Sequence, residues 1–197
     1  IYPLCASLYN AAGKWADPDR LLACWQWLKG NTGLFSRFRG TVKVVTLTKL
    51  ALAEGLEGRW ARMSRLYDQL KGYFWGSEYL AVAALAIVDM AEPERDGDIV
   101  YRTRIIYERM KRVHPFLTTG EDSAFAALLA MSPLDDQAIE EEMEWCHKTL
   151  KPSFFSGNAV QSPSQVLPLV ERAAREKRAR VLATDDCLLS QRYNSGT

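Results

Sequence analysis

The chain has only two histidines, His114 and His147, in 197 residues. A metal centre built on several imidazoles cannot be assembled from them. Its four cysteines, Cys5, Cys24, Cys146 and Cys187, include no C-x-x-C pair, so no zinc ribbon and no thioredoxin-like motif is written here. So few cysteines in a chain this long fit a reducing compartment, and no signal-peptide pattern is visible in the sequence. The expected location is cytoplasmic. Neither sign of charge prevails: 25 Lys and Arg stand against 24 Asp and Glu, for a net charge of +1. Bulk charge therefore draws the chain to neither nucleic acid nor membrane. The longest apolar run, Tyr79 to Val88, is ten residues, which is too short to span a bilayer. There is no nucleophile elbow, P-loop, dinucleotide fingerprint or H-E-x-x-H helix. No catalytic residue and no cofactor is assigned on this basis, and the reading leans away from an enzyme.

What the chain does contain is a recurrence. A Phe, two residues and a helix-capping residue appear four times: Phe38 to Thr41, Phe74 to Ser77, Phe116 to Thr119 and Phe155 to Asn158. Successive Phe residues are 36, 42 and 39 apart. Upstream of each lies an apolar residue and then a lysine: Lys29, Lys71, Lys111 and Lys151, spaced 42, 40 and 40. A period near 40 with this punctuation predicts an all-α fold of stacked antiparallel helical hairpins, an α-solenoid-like array forming one domain over residues 1–197. Ile1 is not a start methionine, and residues 1–9 read like the middle of a helical element. The expectation is a C-terminal fragment of a longer protein.

Counting back from the four lysines gives the buried face of the first helix in each hairpin. One residue before are Leu28, Leu70, Met110 and Leu150; four before, Trp25, Tyr67, Tyr107 and His147. Five before are Cys24, Leu66, Ile106 and Cys146; eight before, Leu21, Met63, Thr103 and Met143. Offsets of 1, 4, 5 and 8 trace one stripe of a 3.6-residue helix. Cys24 and Cys146 are thus core thiols rather than nucleophiles, and His147 is a packing residue. Nine before the lysine, on the opposite face, stand Arg20, Arg62, Arg102 and Glu142. The lysines close their helices, where a cation suits the negative end of the dipole.

Second helices should begin at Thr41, Ser77, Thr119 and Asn158, all preferred N-caps. Asp122 and Gln161 lie three residues after the last two, at capping-box spacing. The Phe of each motif should fold under its loop and set the hairpin angle. Asp17-Pro18 opens a first helix, and Ser132-Pro133 is read the same way. In the fourth hairpin Ser162-Pro163 and Pro168 break the pattern. Leu80 to Val88 and Phe125 to Ala130 are apolar nearly all round, which predicts helices buried on several sides.

Two sets of residues merit weighing as functional. His114, Glu121 and Asp122 share one hairpin loop, and Asn158 and Gln161 share the next. Together they are the candidate ligand or acid/base site, although helix capping already explains Asp122 and Gln161. The second set is an anion edge of Lys71, Lys111, Arg112 and Lys151, to which Lys29, Arg37, Arg39, Lys43 and His114 add charge. Helix N-termini point to the same edge. The plainer explanation is solvated helix ends. Charge is indeed segregated: residues 37–72 carry eight cations against three acids, and residues 135–144 carry six acids and no cation. Solvated helix faces are the expected meaning.

The motifs Phe74-Trp-Gly-Ser-Glu-Tyr-Leu-Ala81, Met110-Lys-Arg-Val-His-Pro-Phe-Leu-Thr-Thr-Gly-Glu-Asp122 and Gly157-Asn-Ala-Val-Gln-Ser162 resemble an uncharacterised bacterial family, the domain of unknown function four thousand and three. The resemblance runs from about Tyr67 to Leu169. It implies a cytoplasmic, helical protein longer than this chain, and it supplies no catalytic residues. The functional expectation is an interaction scaffold with a protein partner, because a repeat array extends one patterned surface. The alternative is a small-molecule or anion-binding protein, or an enzyme, working through the two polar loops.

Overall fold

The computed structural model describes residues 2–113 and 118–150, together with Ala183. Every regular element among them is helical. Eight α-helices follow in order: α1 (Tyr2–Ala11), α2 (Pro18–Asn31), α3 (Lys43–Leu52), α4 (Leu56–Lys71), α5 (Glu78–Met90), α6 (Asp96–Val113), α7 (Asp122–Met131) and α8 (Asp136–Leu150). Short 3-10 turns at Arg37–Arg39 and Pro93–Arg95 precede α3 and α6. The chain divides into two compact units, Ile1–Tyr101 and Arg102–Thr197.

The buried face is the one the lysine alignment predicts. Leu28, Leu70 and Met110 are buried, as are Cys24, Leu66 and Ile106, and Met63, Thr103 and Met143. Full burial of each Leu or Met is worth about 1.5–3 kcal/mol, so this stripe supplies much of the drive to fold. Trp25, Tyr67 and Tyr107 are half-buried, whereas His147 is buried. The side chains of Cys146 and Leu150 lie outside the described residues. In the first unit α4 packs along α5, and α3 packs against both α1 and α2. Helix α5 buries Leu80, Ala81, Ala83, Ala84, Leu85, Ile87 and Val88, which fits its all-round apolar sequence. Cys5 and Cys24 are free buried thiols. Burial pushes the Cys24 thiol up, away from the reactive thiolate.

Helix starts follow the sequence in part. Asp17 caps α2, accepting from the N–H groups of Asp19 and Arg20. Ser77 caps α5 through the N–H of Leu80. Thr41 does not cap α3: its own N–H donates to Glu78 Oε1 at 3.4 Å, and Val42 precedes the helix. At α7 the Thr119 side chain is not the cap. The Thr119 N–H instead donates to the Asp122 carboxylate at 2.6 Å, the returning half of a capping box. Ser132 ends α7, its hydroxyl donating to the Leu129 carbonyl, and Asp135 takes over as acceptor for the Ala138 N–H at 2.8 Å. The loop and second helix of the fourth hairpin lie outside the described residues.

The arginines nine before each lysine have a role that the helical wheel did not reveal. Arg20 donates to the carbonyls of Ala51 and Ala53 at the end of α3. Arg62 donates to Val88 and Ala91 at the end of α5, and grips Asp96 with Nε and Nη2. Arg102 donates to Ala130, Ser132 and Leu134 at the end of α7, and to Asp136 at 2.7 Å. The last carbonyls of a helix have no partner within it. A guanidinium, with five donors in a rigid fork, can satisfy several at once. Arg62 and Arg102 are part-buried with every guanidinium nitrogen engaged, whereas Arg20 is exposed and uses Nε and Nη2.

Candidate functional site

The basic stretch of residues 37–72 separates into two groups of cations. Arg62 and Arg65 both bind Asp96, which is buried. Lys49 and Arg59 both bind Asp89. The remaining four, Arg37, Arg39, Lys43 and Lys71, form no ion pair with any described carboxylate. They gather around the loop that joins α2 to α3 and the end of α4. The acids of residues 135–144 are likewise partly engaged, Asp136 with Arg102 and Glu140 with Arg109.

Aromatic packing holds that loop in place. Phe38 is buried and meets Trp60 edge-on at 5.0 Å and Tyr67 at 5.3 Å, while Trp27 meets Trp60 at 6.1 Å. Phe38 therefore does what the motif predicts, anchoring its loop to α4. Above this cluster opens a cleft of about 510 Å³, with Asn31 to Gly33 and Phe35 to Phe38 on one wall and Trp60, Tyr67, Asp68 and Lys71 of α4 on the other. Gly76 completes the rim. A Cβ there would come within 3.1 Å of the Tyr67 hydroxyl, which would have to give by a few tenths of an ångström. Burial raises the Tyr67 pKa, against the opposing charge and hydrogen bond of Arg37. The phenol therefore stays neutral and acts as a hydrogen-bonding group rather than a base. Beside the cleft, Phe35 is 96% and Trp75 93% exposed, and Leu34 is exposed too.

On the α2 side, three cations surround one indole. Lys29 Nζ, Arg39 Cζ and Lys43 Nζ lie 5.4, 5.5 and 5.1 Å from the centre of the Trp25 ring. Arg39 Nη1 also donates to the carbonyls of Thr32 and Gly33 at 3.2 and 3.3 Å. Its Nε is buried without a hydrogen-bond partner.

Of the polar-loop candidates, Glu121 and Asp122 are among the described residues. Asp122 is buried and holds the Thr119 N–H. Glu121 is exposed just before α7. His114, Asn158 and Gln161 lie outside the described residues. Burial, and then the nearby Asp122 charge, raises the Tyr107 pKa; its hydroxyl donates to the Thr119 carbonyl at 3.2 Å. Of the anion-edge residues, Lys71 lines the cleft, Lys111 and Arg112 are exposed in the last turn of α6, and Lys151 lies outside the described residues. The sequence adds Lys29, Arg37, Arg39 and Lys43 to the edge, but it does not reveal Trp25 as the common centre of Lys29, Arg39 and Lys43, because its helical position assigns that ring to the core. Among the described residues no three of His, Cys, Asp and Glu come together as a metal site. No helix among them is long and apolar enough to cross a membrane.

A family model, "Protein of unknown function (DUF4003)", matches residues 1–191. The chain belongs to the DUF4003 family. The match takes in nearly the whole chain, well beyond the stretch of Tyr67 to Leu169 where the sequence motifs lie. No curated protein and no solved structure matches this DUF4003 chain. Its cleft and cation cluster therefore have to be interpreted from their own chemistry.

Proposed function

We propose that this DUF4003 protein is a cytoplasmic, non-enzymatic interaction scaffold, a single helical-repeat domain that binds an acidic protein partner at the loop edge of its first unit. The observation that carries the reading is the sorting of charge in residues 37–72. Cations that pair with no described carboxylate gather at an open cleft flanked by exposed aromatics. An acidic segment laid there would pair with Arg37 and Lys71 and cover Phe35 and Trp75. Aromatic and arginine side chains of this kind supply most of the energy at protein interfaces, and opposite charge sets the rate and orientation of encounter.

The antiparallel hairpin array belongs to this proposal. Support comes from the arginines. Each sits early in its helix yet reaches the end of the following one, and near the end of α6 Tyr107 reaches Thr119, ahead of α7. Those reaches suit helices running in opposite directions at a spacing of about 40 residues.

The test is a quantitative pull-down from the source cell with the full-length protein, repeated with Phe35→Ser/Trp75→Ser and with Arg37→Glu/Lys71→Glu. The reading expects a defined partner that both double variants lose while their melting temperatures hold. A captured set identical for wild type and both variants would remove this edge from any partner role.

A further inference from the structure

We propose that Lys29, Arg39 and Lys43 form a binding site for a phosphate monoester, centred beside Trp25. The inference does not depend on the scaffold reading, since a free phosphorylated metabolite and a phosphorylated side chain present the same group. Each of the three cations lies within 5.5 Å of one ring centre, so no two are farther apart than twice that distance. Each lies closer to that centre than the screening length of physiological salt, about 8 Å, so their fields add there. Like charges so close repel, and the indole face offsets only part of the cost, about 0.5–1 kcal/mol per exposed cation. No described carboxylate pairs with any of the three. Elsewhere in the same unit the chain neutralises crowded cations with an acid, as Asp89 does for Lys49 and Arg59. Here it does not.

The donors also match the shape of the ligand. Arg39 is held by two loop carbonyls through Nη1, which leaves Nη2 for a ligand, while its Nε is buried with no acceptor. Beside Arg39 a recess of about 290 Å³ is lined by Arg37 and Gly40; Lys29, Lys43 and Trp25 lie outside its walls. Glu78 is the one carboxylate that lines it, and one of its oxygens is engaged by the Thr41 N–H. A phosphate monoester brings a charge of about −1.5 to −2 and three terminal oxygens. That is enough to engage a guanidinium and two ammonium groups at once. A side-chain carboxylate has one charge and two oxygens, and would leave the cluster largely unneutralised.

The experiment is calorimetric titration of the whole chain at low salt with two probes: O-phosphoserine blocked at both ends, and a phosphoserine peptide with its unphosphorylated counterpart. Saturable binding of the phosphorylated probes is expected, weakened about tenfold by Lys29→Ala or Lys43→Ala and lost in the double variant. Melting temperatures of the variants confirm that they fold. Equal affinity for blocked phosphoserine and phosphopeptide assigns the site to a free metabolite; a much tighter phosphopeptide assigns it to a modified protein. Either result supports the site. No saturable binding of either probe, equal binding of the unphosphorylated peptide, or undiminished affinity in the folded double variant would overturn it. Because Phe35, Trp75 and Lys71 are untouched, loss here leaves the scaffold test independent.

Discussion

Arg62 and Arg39 lie in the same compact unit and carry the same guanidinium, yet their surroundings are opposite. Arg62 faces the ends of two helices, where α5 presents unsatisfied carbonyls and Asp96 opens α6, and it finds acceptors for all its nitrogens. Arg39 faces a loop and an indole already ringed by two lysines, with a buried Nε that no acceptor meets. The first arrangement is complete as it stands. The second has charge left over. Completeness is what folding needs, and an excess of well-placed charge is what binding needs. The contrast separates cations that hold the fold from cations available to a ligand.

The comparison breaks first at Arg62. Arg62→Ala leaves buried Asp96 facing only the partly exposed Arg65, and should cost about 3–5 kcal/mol, read as a fall in the urea midpoint. Arg102→Ala should cost less, about 1.5–3 kcal/mol, because its Asp136 partner is more exposed and can be solvated. Equal losses at both sites would mean that burial of the carboxylate does not set the scale.

The α7 turn sharpens the comparison on a smaller scale. Asp122→Ala removes the acceptor of the Thr119 N–H and should cost about 1–3 kcal/mol, whereas Thr119→Ala should cost less than about 0.5 kcal/mol. Thermal denaturation of the two variants side by side decides it. A larger loss for Thr119→Ala would restore the hydroxyl as the cap.

Tyr107 gives the same turn a pH signature. Its folded pKa is raised by burial and then by Asp122. The neutral phenol is therefore favoured in the folded state, and that stabilisation is fully present below the unfolded value near 10. It is lost as the pH rises through the higher folded value. Stability measured from pH 8 to 11 should fall less steeply in Tyr107→Phe than in the wild type. Identical alkaline slopes would show that this phenol ionises as freely folded as unfolded.

The smallest expected effect is at the other side of the comparison. Lys29→Gln and Lys43→Gln should change stability by no more than about 0.5 kcal/mol, in either direction, because neither lysine is paired with an acid. A loss above about 1 kcal/mol in either variant would mean that the Trp25 cluster is part of the fold's own support.

Much of the fold is legible in one dimension because helical burial is periodic. Offsets of 1, 4, 5 and 8 from a recurring lysine select Leu28, Leu66, Leu70, Ile106 and Met110, and all of these are buried. The apolar runs of α5 and α7, the caps at Asp17 and Ser77, and the anchoring Phe38 follow from local patterns of the same kind. Family membership is also a property of the sequence alone, carried by motifs that span hairpin loops. Long-range partners are not legible in this way. The three arginines recur as regularly as the lysines, but the carbonyls they satisfy lie 26 to 33 residues away, and a helical wheel shows only which side a residue faces. At Thr119 the capping-box spacing correctly marks Asp122 as the acceptor of the Thr119 N–H, but spacing alone does not show that the threonine hydroxyl leaves the helix N–H groups uncapped. Lys29, Arg39 and Lys43 are separated by 14 residues of chain, and nothing in their spacing marks Trp25 as their meeting point. The sequence determines which faces of the helices leave water, since that depends on side-chain periodicity. Only the tertiary structure decides which cations meet an acceptor and which remain, because that depends on where folding brings distant segments together.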